Sequence, residues 1–317
     1  VQTGAALHTL MSTKRGKYLC RATALAVGFT ADRIFADPQS HHPVAVYGTA
    51  VSRLIERMYA DSKARGVTFT GIAVAAPVVA VGIATRFAPN LSLALATWAS
   101  LGGTTLQRTG AKMADRLDSG DVESARGLVS WLCSRDPEAL DVDGIARATV
   151  ESLAENTSDA VSGTLLWGAL AGAPGVVAHR AINTLDAMVG YRNDRYRRFG
   201  WASARLDDVA GFLPARLTAV ATVLAAPNRR EAIAAWRRDA AAHPSPNAGV
   251  VEASAAGALG LQLGGATVYP SGVEMRPVLG RGAEPTVPDV RRAVWLSGAV
   301  QELVLGLCIA GLLVAAA

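Results

Sequence analysis

The apolar positions of this chain gather into runs of helical length, separated by polar stretches and by proline. Lys14, Arg15 and Lys17 precede an apolar stretch from Tyr18 to Phe35. Asp32 and Arg33 interrupt it and no small-residue cleavage site follows, so it reads as a retained helix and only loosely resembles a signal peptide. Asp37-Pro38 and His42-Pro43 break that helix, and an amphipathic segment begins after Pro43. Val67 to Thr85 is apolar and of bilayer-spanning length, and Leu91 to Leu106 is slightly shorter. From Arg108 to Val150 the chain turns polar with helical periodicity, over Ala111 to Leu117 and then Val122 to Cys133. Asp136-Pro137 marks a break before Ile145 starts the helix that bears Glu151.

Gly163 to Ile182 is apolar but interrupted by Gly172, Pro174 and Gly175, and Leu206 to Ala226 carries Asp207, Asp208, Pro214 and Arg216. Charges at membrane depth are costly unless they face protein or water, where they mark function. Arg229 to Ala242 reads as a basic amphipathic helix. Pro244 and Pro246 lead into a helix of small residues, and Val268 to Asp289, rich in Gly and Pro, reads as a loop. Ala293 to Ala317 is the cleanest spanning candidate, although Gln301 and Glu302 sit within it. The expected fold is all-α: a polytopic helical integral membrane protein with broken or re-entrant helices and interfacial helices. It is read as one membrane-embedded domain over residues 1–317, with 1–17 a flexible tail, Val1 to Thr9 a possible artefact and Met11 a plausible start.

Composition supports this class. Of 317 residues, 50% are hydrophobic and 18% charged, against about 25% charged in soluble domains. The net charge of +5 comes mostly from arginine, since Lys14, Lys17, Lys63 and Lys112 are the only lysines. The basic residues are scattered among acids without interleaved stacking aromatics, so nucleic acid is not an expected partner and membrane-flanking charge explains the balance better. Cys20, Cys133 and Cys308 are far apart and lack CxxC spacing, which supports neither a disulfide framework nor a zinc site.

The candidate chemistry concentrates between Glu151 and Arg216. ESLAENTSD and NTLDAMVGY carry the same Asn-x-x-Asp pattern, Asn156 with Asp159 and Asn183 with Asp186. On a helix Glu151, Glu155 and Asp159 line one side, with Asn156 at its edge. Acids so placed repel one another, and a divalent cation relieves that repulsion; carboxylate and amide oxygens are ligands Mg²⁺ prefers. Arg192, Arg195, Arg197, Arg198, Arg205 and Arg216 are suited to phosphate or carboxylate. Acids for a metal beside arginines for anions are the composition of a phosphate-handling site. No phosphate-binding glycine loop or serine-nucleophile elbow is present, and Gly264-Gly265 and Gly280-x-Gly282 read as turns or close packing. His42 and His243 precede proline and read as turn residues. Tyr191 and Trp201 read as interface anchors, and Met188 as core.

These motifs resemble the CobD/CbiB family of cobalamin-biosynthesis membrane proteins, the adenosylcobinamide-phosphate synthases. The likeness runs from about Asp32 to Gly272. It includes DP…HPV at Asp37 to Val44, ESLAENTSD at Glu151 to Asp159, and NTLDAMVGY at Asn183 to Tyr191. FGWASARLDDVAGFLPARLT at Phe199 to Thr218, HPSPNAG at His243 to Gly249 and LGG at Leu263 to Gly265 complete it. The chain departs from the family pattern at Ala160, Ser162-Gly163 and Gly211.

The resemblance implies a ligase that joins adenosylcobyric acid to (R)-1-aminopropan-2-ol phosphate, with ATP as cosubstrate and Mg²⁺ as cofactor. It implies Glu155, Asp159, Asp186 and Asp208 as catalytic residues, and Glu151, Glu155, Asp159, Asp186 and Asp207 as metal ligands. Asn156, Asn183, Tyr191, Arg205, Arg216, Ser245, Asn247 and His42 are its substrate- or nucleotide-binding set. It further implies a multi-pass protein of the cell (inner or plasma) membrane, embedded in the lipid bilayer with its motif loops on the cytoplasmic side. A homo-oligomer and contacts with other membrane-bound enzymes of the pathway are in keeping with this. Two other readings use the same residues: a Mg²⁺-dependent intramembrane prenyl- or phospho-transferase, and a membrane sensor or scaffold without catalysis. Acids buried in apolar sequence argue against the last.

Overall fold

The computed structural model describes residues 13–38, 40–269 and 272–317. The expectations for Val1 to Thr9 and for Met11 lie outside the described residues. Helix α1 (Lys14–Phe35) starts where the Thr13 hydroxyl accepts the Gly16 N–H at 3.0 Å, within the stretch expected to be a tail. α2 (Pro43–Met58) has proline in its first turn, where the missing N–H costs nothing. α3 (Lys63–Phe87) and α4 (Pro89–Leu101) follow. The apolar run expected to continue from Leu91 to Leu106 is divided at Gly102, whose left-handed φ of 63° ends α4, and α5 (Gly103–Asp118) begins at once.

Asp121 and Asp141 cap α6 (Val122–Val129) and α7 (Val142–Asn156) through N–H bonds from Ser124 and Gly144. A π turn, Thr157–Ser162, joins α7 to α8 (Gly163–Val189). Then come α9 (Trp201–Ala210), α10 (Phe212–Ala225), α11 (Arg229–Asp239), α12 (Ala248–Leu259) and α13 (Val287–Ala316). Both interrupted apolar runs are broken as expected: α8 at Gly172 (φ 68°, ψ −157°), just before Pro174, and the α9–α10 run at Gly211.

The stretch from Val268 to Asp289 is not a simple loop. β1 (Leu263–Tyr269) and β2 (Gly272–Leu279) form an antiparallel hairpin, with Ala266 opposite Met275 and Thr267 opposite Glu274. Gly264 and Gly265, at φ 85° and 79°, build the irregularity between Leu263 and Gly265 that bends the first strand. α13 already begins at Val287. Apart from the hairpin the described fold is helical.

Among the described residues, three stretches are long and apolar enough to cross a membrane: α3, a window within Val142–Val189, and α13. α9 with α10 makes a fourth if the two are taken as one broken span. Only 17% of the α3 window is buried against protein, and Val67, Ile72, Val79 and Ile83 are exposed, which is the face a bilayer covers. α12, at 12 residues, is too short to cross.

The chain forms two compact units, each assembled from separated stretches. The first comprises Val1–Gly102, Gly163–Gly211 and Leu305–Ala317; the second comprises Gly103–Ser162 and Phe212–Val304. In the first, α8 packs against α1, α2, α3, α4 and α9. Its core joins Val51, Ile55, Phe69, Ala73, Leu185, Val189 and Phe199, with Met188 against it as expected. In the second, α12 packs against α7, α10 and α11, and its buried face is almost entirely Ala, Gly and Val. Small side chains let these helices approach closely.

Candidate functional site

In the first unit the second Asn-x-x-Asp motif lies on the last turns of α8, with Asn183 and Asp186 half-buried. Asp208 on α9 lies within electrostatic reach of Asp186. Arg205, one turn before it, bonds Asp208 at 3.3 Å. The ends of these helices are held closely. Gly190 and Gly200 sit where a Cβ would strike the Asp186 carboxylate and the Val189 carbonyl, so only glycine lets the chain turn there. Phe199 stacks on Phe69 at 4.8 Å between ring centres, and Ser203 bonds Thr70 at 2.9 Å, anchoring α9 to α3. Asp207, also on α9, is half-buried.

The remaining first-unit candidates sit apart in role. His42 caps α2: its Nδ1 accepts the Val44 N–H at 3.2 Å, and its Nε2 lies 3.4 Å from Asp37. That is the turn role the sequence assigns it. Tyr191 is 48% exposed, and Trp201 lies under the Lys63 ammonium at 5.0 Å. Arg192, Arg195, Arg197 and Arg198 are exposed in the loop that joins α8 to α9.

In the second unit α7 carries Glu151 and Glu155 one turn apart. Glu151 is buried, and protein groups take both its oxygens: Gly264 donates its N–H to Oε1 at 2.8 Å, and Arg135 pairs with Oε2. Gly264 approaches at positive φ with the Pro277 carbonyl against its α-carbon, which is the close packing expected of the Gly-Gly pair. Asn156 donates to the Ser152 carbonyl and hydroxyl, both at 2.9 Å, and to Leu132 O at 3.3 Å. Its amide nitrogen therefore holds α7 to the preceding loop. Asp159 lies on the π turn, half-buried. That turn is pinned by hydroxyls, Thr157 with Ser297 at 2.6 Å and Thr218 with Ser162 at 2.7 Å. π turns of this kind occur often at functional sites.

The HPSPN segment folds into a turn before α12. The Ser245 hydroxyl accepts the N–H groups of Asn247 at 3.3 Å and Ala248 at 3.2 Å. Arg216 donates to Asn247 Oδ1 at 2.9 Å, with its guanidinium 3.6 Å from the Phe212 ring centre. The structure thus joins Arg216 to Asn247, two residues chosen separately from the sequence.

The second unit also holds a residue that the sequence reading passed over. Glu252, buried on α12, has Glu155 against its carboxyl, His243 Nε2 at 3.7 Å and Arg276 Nη1 at 4.0 Å. Burial, and then the charges of Glu155 and Glu151, push its carboxyl well above the usual carboxylate range, against the opposing pull of Arg276. The signal was legible: a lone acid in AGVVEASAAGAL. Arg135 and Arg276 carried no such mark. Among the described residues, no group of three His, Cys, Asp or Glu could hold a metal ion.

Comparison with known proteins decides the family. The family described as CobD/Cbib protein matches residues 25–297. The chain belongs to the CobD/Cbib family. A protein of Mycobacterium tuberculosis (strain ATCC 25618 / H37Rv) named Cobalamin biosynthesis protein CobD is 51% identical over 290 residues, covering 89% of this chain and 92% of its own. Proteins of the same name from Rhodobacter capsulatus and Stutzerimonas stutzeri (strain A1501) are each 40% identical. They cover 84% and 86% of this chain, and 88% and 93% of their own. No solved structure matches. All the CobD/Cbib motifs described above, from the Asp37-Pro38 turn to Leu263-Gly265, fall inside the matched range.

Proposed function

We propose that this CobD/Cbib protein is an amide-forming ligase of cobalamin biosynthesis. It joins a propionate carboxylate of adenosylcobyric acid to the amine of (R)-1-aminopropan-2-ol phosphate and converts ATP to ADP and phosphate. Family membership and the shared name of its relatives support the pathway. The observation that carries the reaction type is the pair Asp186 and Asp208, within electrostatic reach of each other, with Arg205 bonded to the latter.

A carboxylate does not react with an amine at neutral pH. In the proposed reaction its oxygen takes the γ-phosphoryl group of ATP, releasing ADP and leaving an acyl phosphate. The amine nitrogen then attacks the acyl carbon, the carbon–oxygen bond to phosphate breaks, and the proton shed by the amine passes to a base. Asp186 and Asp208 fit a Mg²⁺ ion, because that ion is commonly held by one or two carboxylates, with substrate phosphates filling the other positions. When bound with the nucleotide, Mg²⁺ supplies positive charge to the transferring phosphoryl group. Arg205 is exposed enough to turn from Asp208 toward a phosphate oxygen.

The reading places the protein in the cell membrane with the motif loops toward the cytoplasm. Labelling of cysteines introduced at residues 156 and 186 from opposite faces of the membrane contradicts that topology. The reaction itself is tested by mass spectrometry of the amide formed from both substrates and Mg-ATP. Cleavage of a phosphate ester without ATP points instead to the transferase.

A further inference from the structure

The second unit contains buried charge that the phosphoryl-transfer chemistry above does not use. Glu252 is 1% exposed, and among the described residues no N–H or hydroxyl reaches either of its carboxylate oxygens; the hydrogen-bond partner it has is another carboxyl, that of Glu155. A buried carboxylate without donors is rare in a folded protein. Its neighbours fall short: His243 Nε2 stands 3.7 Å away and Arg276 Nη1 4.0 Å, both beyond hydrogen-bond reach. The acid pressed against it is Glu155, which is half-buried and so forms the more open edge of the cluster. Glu151 also faces it electrostatically, but its oxygens already serve Arg135 and Gly264.

The histidine is oriented. His243 Nδ1 is held by the Ser245 backbone, with the N–H at 3.0 Å and the carbonyl oxygen at 3.2 Å, so that Nε2 is the nitrogen that faces Glu252. Nε2 has no other partner. Two carboxyls therefore lie side by side, bonded to each other through a shared proton, with an imidazole edge toward one of them.

We propose that Glu155 and Glu252 form a binding site for a primary ammonium group, with His243 as the positioning residue for Glu252. An ammonium brings a compact positive charge and three donors, and so replaces the single proton that the two carboxyls otherwise share. The inference rests on the ligase reading for the identity of the amine, which is then the amino end of aminopropanol phosphate.

The test is equilibrium binding to the full-length protein in detergent, with 1-aminopropan-2-ol phosphate and propan-2-yl phosphate as probes. The second differs only in lacking the amine. Wild type is expected to bind the amine about tenfold or more tightly, the scale of one charge-assisted hydrogen bond. Glu252→Gln and Glu155→Gln are each expected to bring the two probes to similar affinity while leaving propan-2-yl phosphate unaffected. His243→Leu reduces the preference, and His243→Gln, which restores a donor, recovers it. A wild type without amine preference, or a preference intact in both glutamine variants, overturns the proposal. Should Glu252→Gln fail to fold, Glu155→Gln at the more open position decides it alone. Amide formation is assayed on the same preparations. Product without amine preference removes this site and keeps the ligase; preference without product does the reverse.

Discussion

Arg135 and Glu151 form an ion pair buried on both sides, and the second oxygen of Glu151 accepts the Gly264 N–H at 2.8 Å. One carboxylate thus ties α7 to the loop before it and to the base of the hairpin. Removing one partner strands the other in the interior. Glu151→Ala is expected to destabilise the protein by about 3–5 kcal/mol. Combining it with Arg135→Met is expected to cost less than the sum of the two single changes. Denaturant unfolding of the four proteins measures this, and strict additivity contradicts the coupling.

Gly190 is where α8 gives way to the arginine loop, and the space for its Cβ is filled by the Asp186 carboxylate. Gly190→Ala must move that carboxylate. Overpacking of this kind costs about 1–3 kcal/mol. Displacing a group from its working geometry by about 1 Å can reduce rate on the order of a hundredfold. The expected result is a modest fall in melting temperature with a much larger fall in turnover. Equal activity in the folded variant contradicts a role for Asp186.

His243 and Glu252 pull the pH dependence of stability in opposite directions. Burial lowers His243, opposed by its bond with Ser245; Arg276 adds to the lowering, while Glu155 and Glu151 resist it. A histidine depressed in the folded state contributes stability that is present above its unfolded pKa, about 6.5, and is lost as pH falls. Glu252 is raised, so its contribution is present below its unfolded pKa, about 4.3, and is lost as pH rises through the folded value. Between these limits the two slopes oppose each other. Glu252→Gln is expected to unmask stability that rises toward about pH 6.5, and His243→Gln stability that falls above about pH 4.3. Melting temperatures taken across this range check both. Parallel profiles for the two variants contradict the assignment.

Much of the fold was legible because membrane helices announce themselves by length and apolar composition. Val67 to Thr85 and, short of its last residue, Ala293 to Ala317 each fall in a single helix, α3 and α13, which begin earlier, at Lys63 and Val287. The breaks at Gly172 and Gly211 follow the interruptions that the sequence displays. Two features were hidden. The Gly102-Gly103 pair lies inside a run read as continuing to Leu106, and the left-handed turn at Gly102 divides it there. The hairpin was masked by Gly264, Gly265 and Gly272, residues that usually mark loops and here lie at the strand irregularity and at the start of β2.

The candidate site was legible in type more than in arrangement. Helical spacing places Glu151 and Glu155 together, but it cannot show that Arg135, 16 residues away, and Gly264, 113 residues away, occupy the first of them. Nor can it show that Glu252, on another helix, lies against Glu155. The proximity of Arg216 to Asn247 spans 31 residues and depends on the HPSPN turn. Long-range partners of buried charges are chosen by packing, and local periodicity carries no record of them.

The most direct measurement is the ATP dependence of amide formation by the purified full-length protein, comparing wild type with Asp186→Asn and Asp208→Asn variants of unchanged melting temperature. Mass spectrometry follows the corrinoid amide while ADP is counted in parallel. The account predicts one ADP per amide in the wild type, and loss of both on the order of a hundredfold or more in each variant. Amide formed without ATP, or undiminished in both variants, contradicts it.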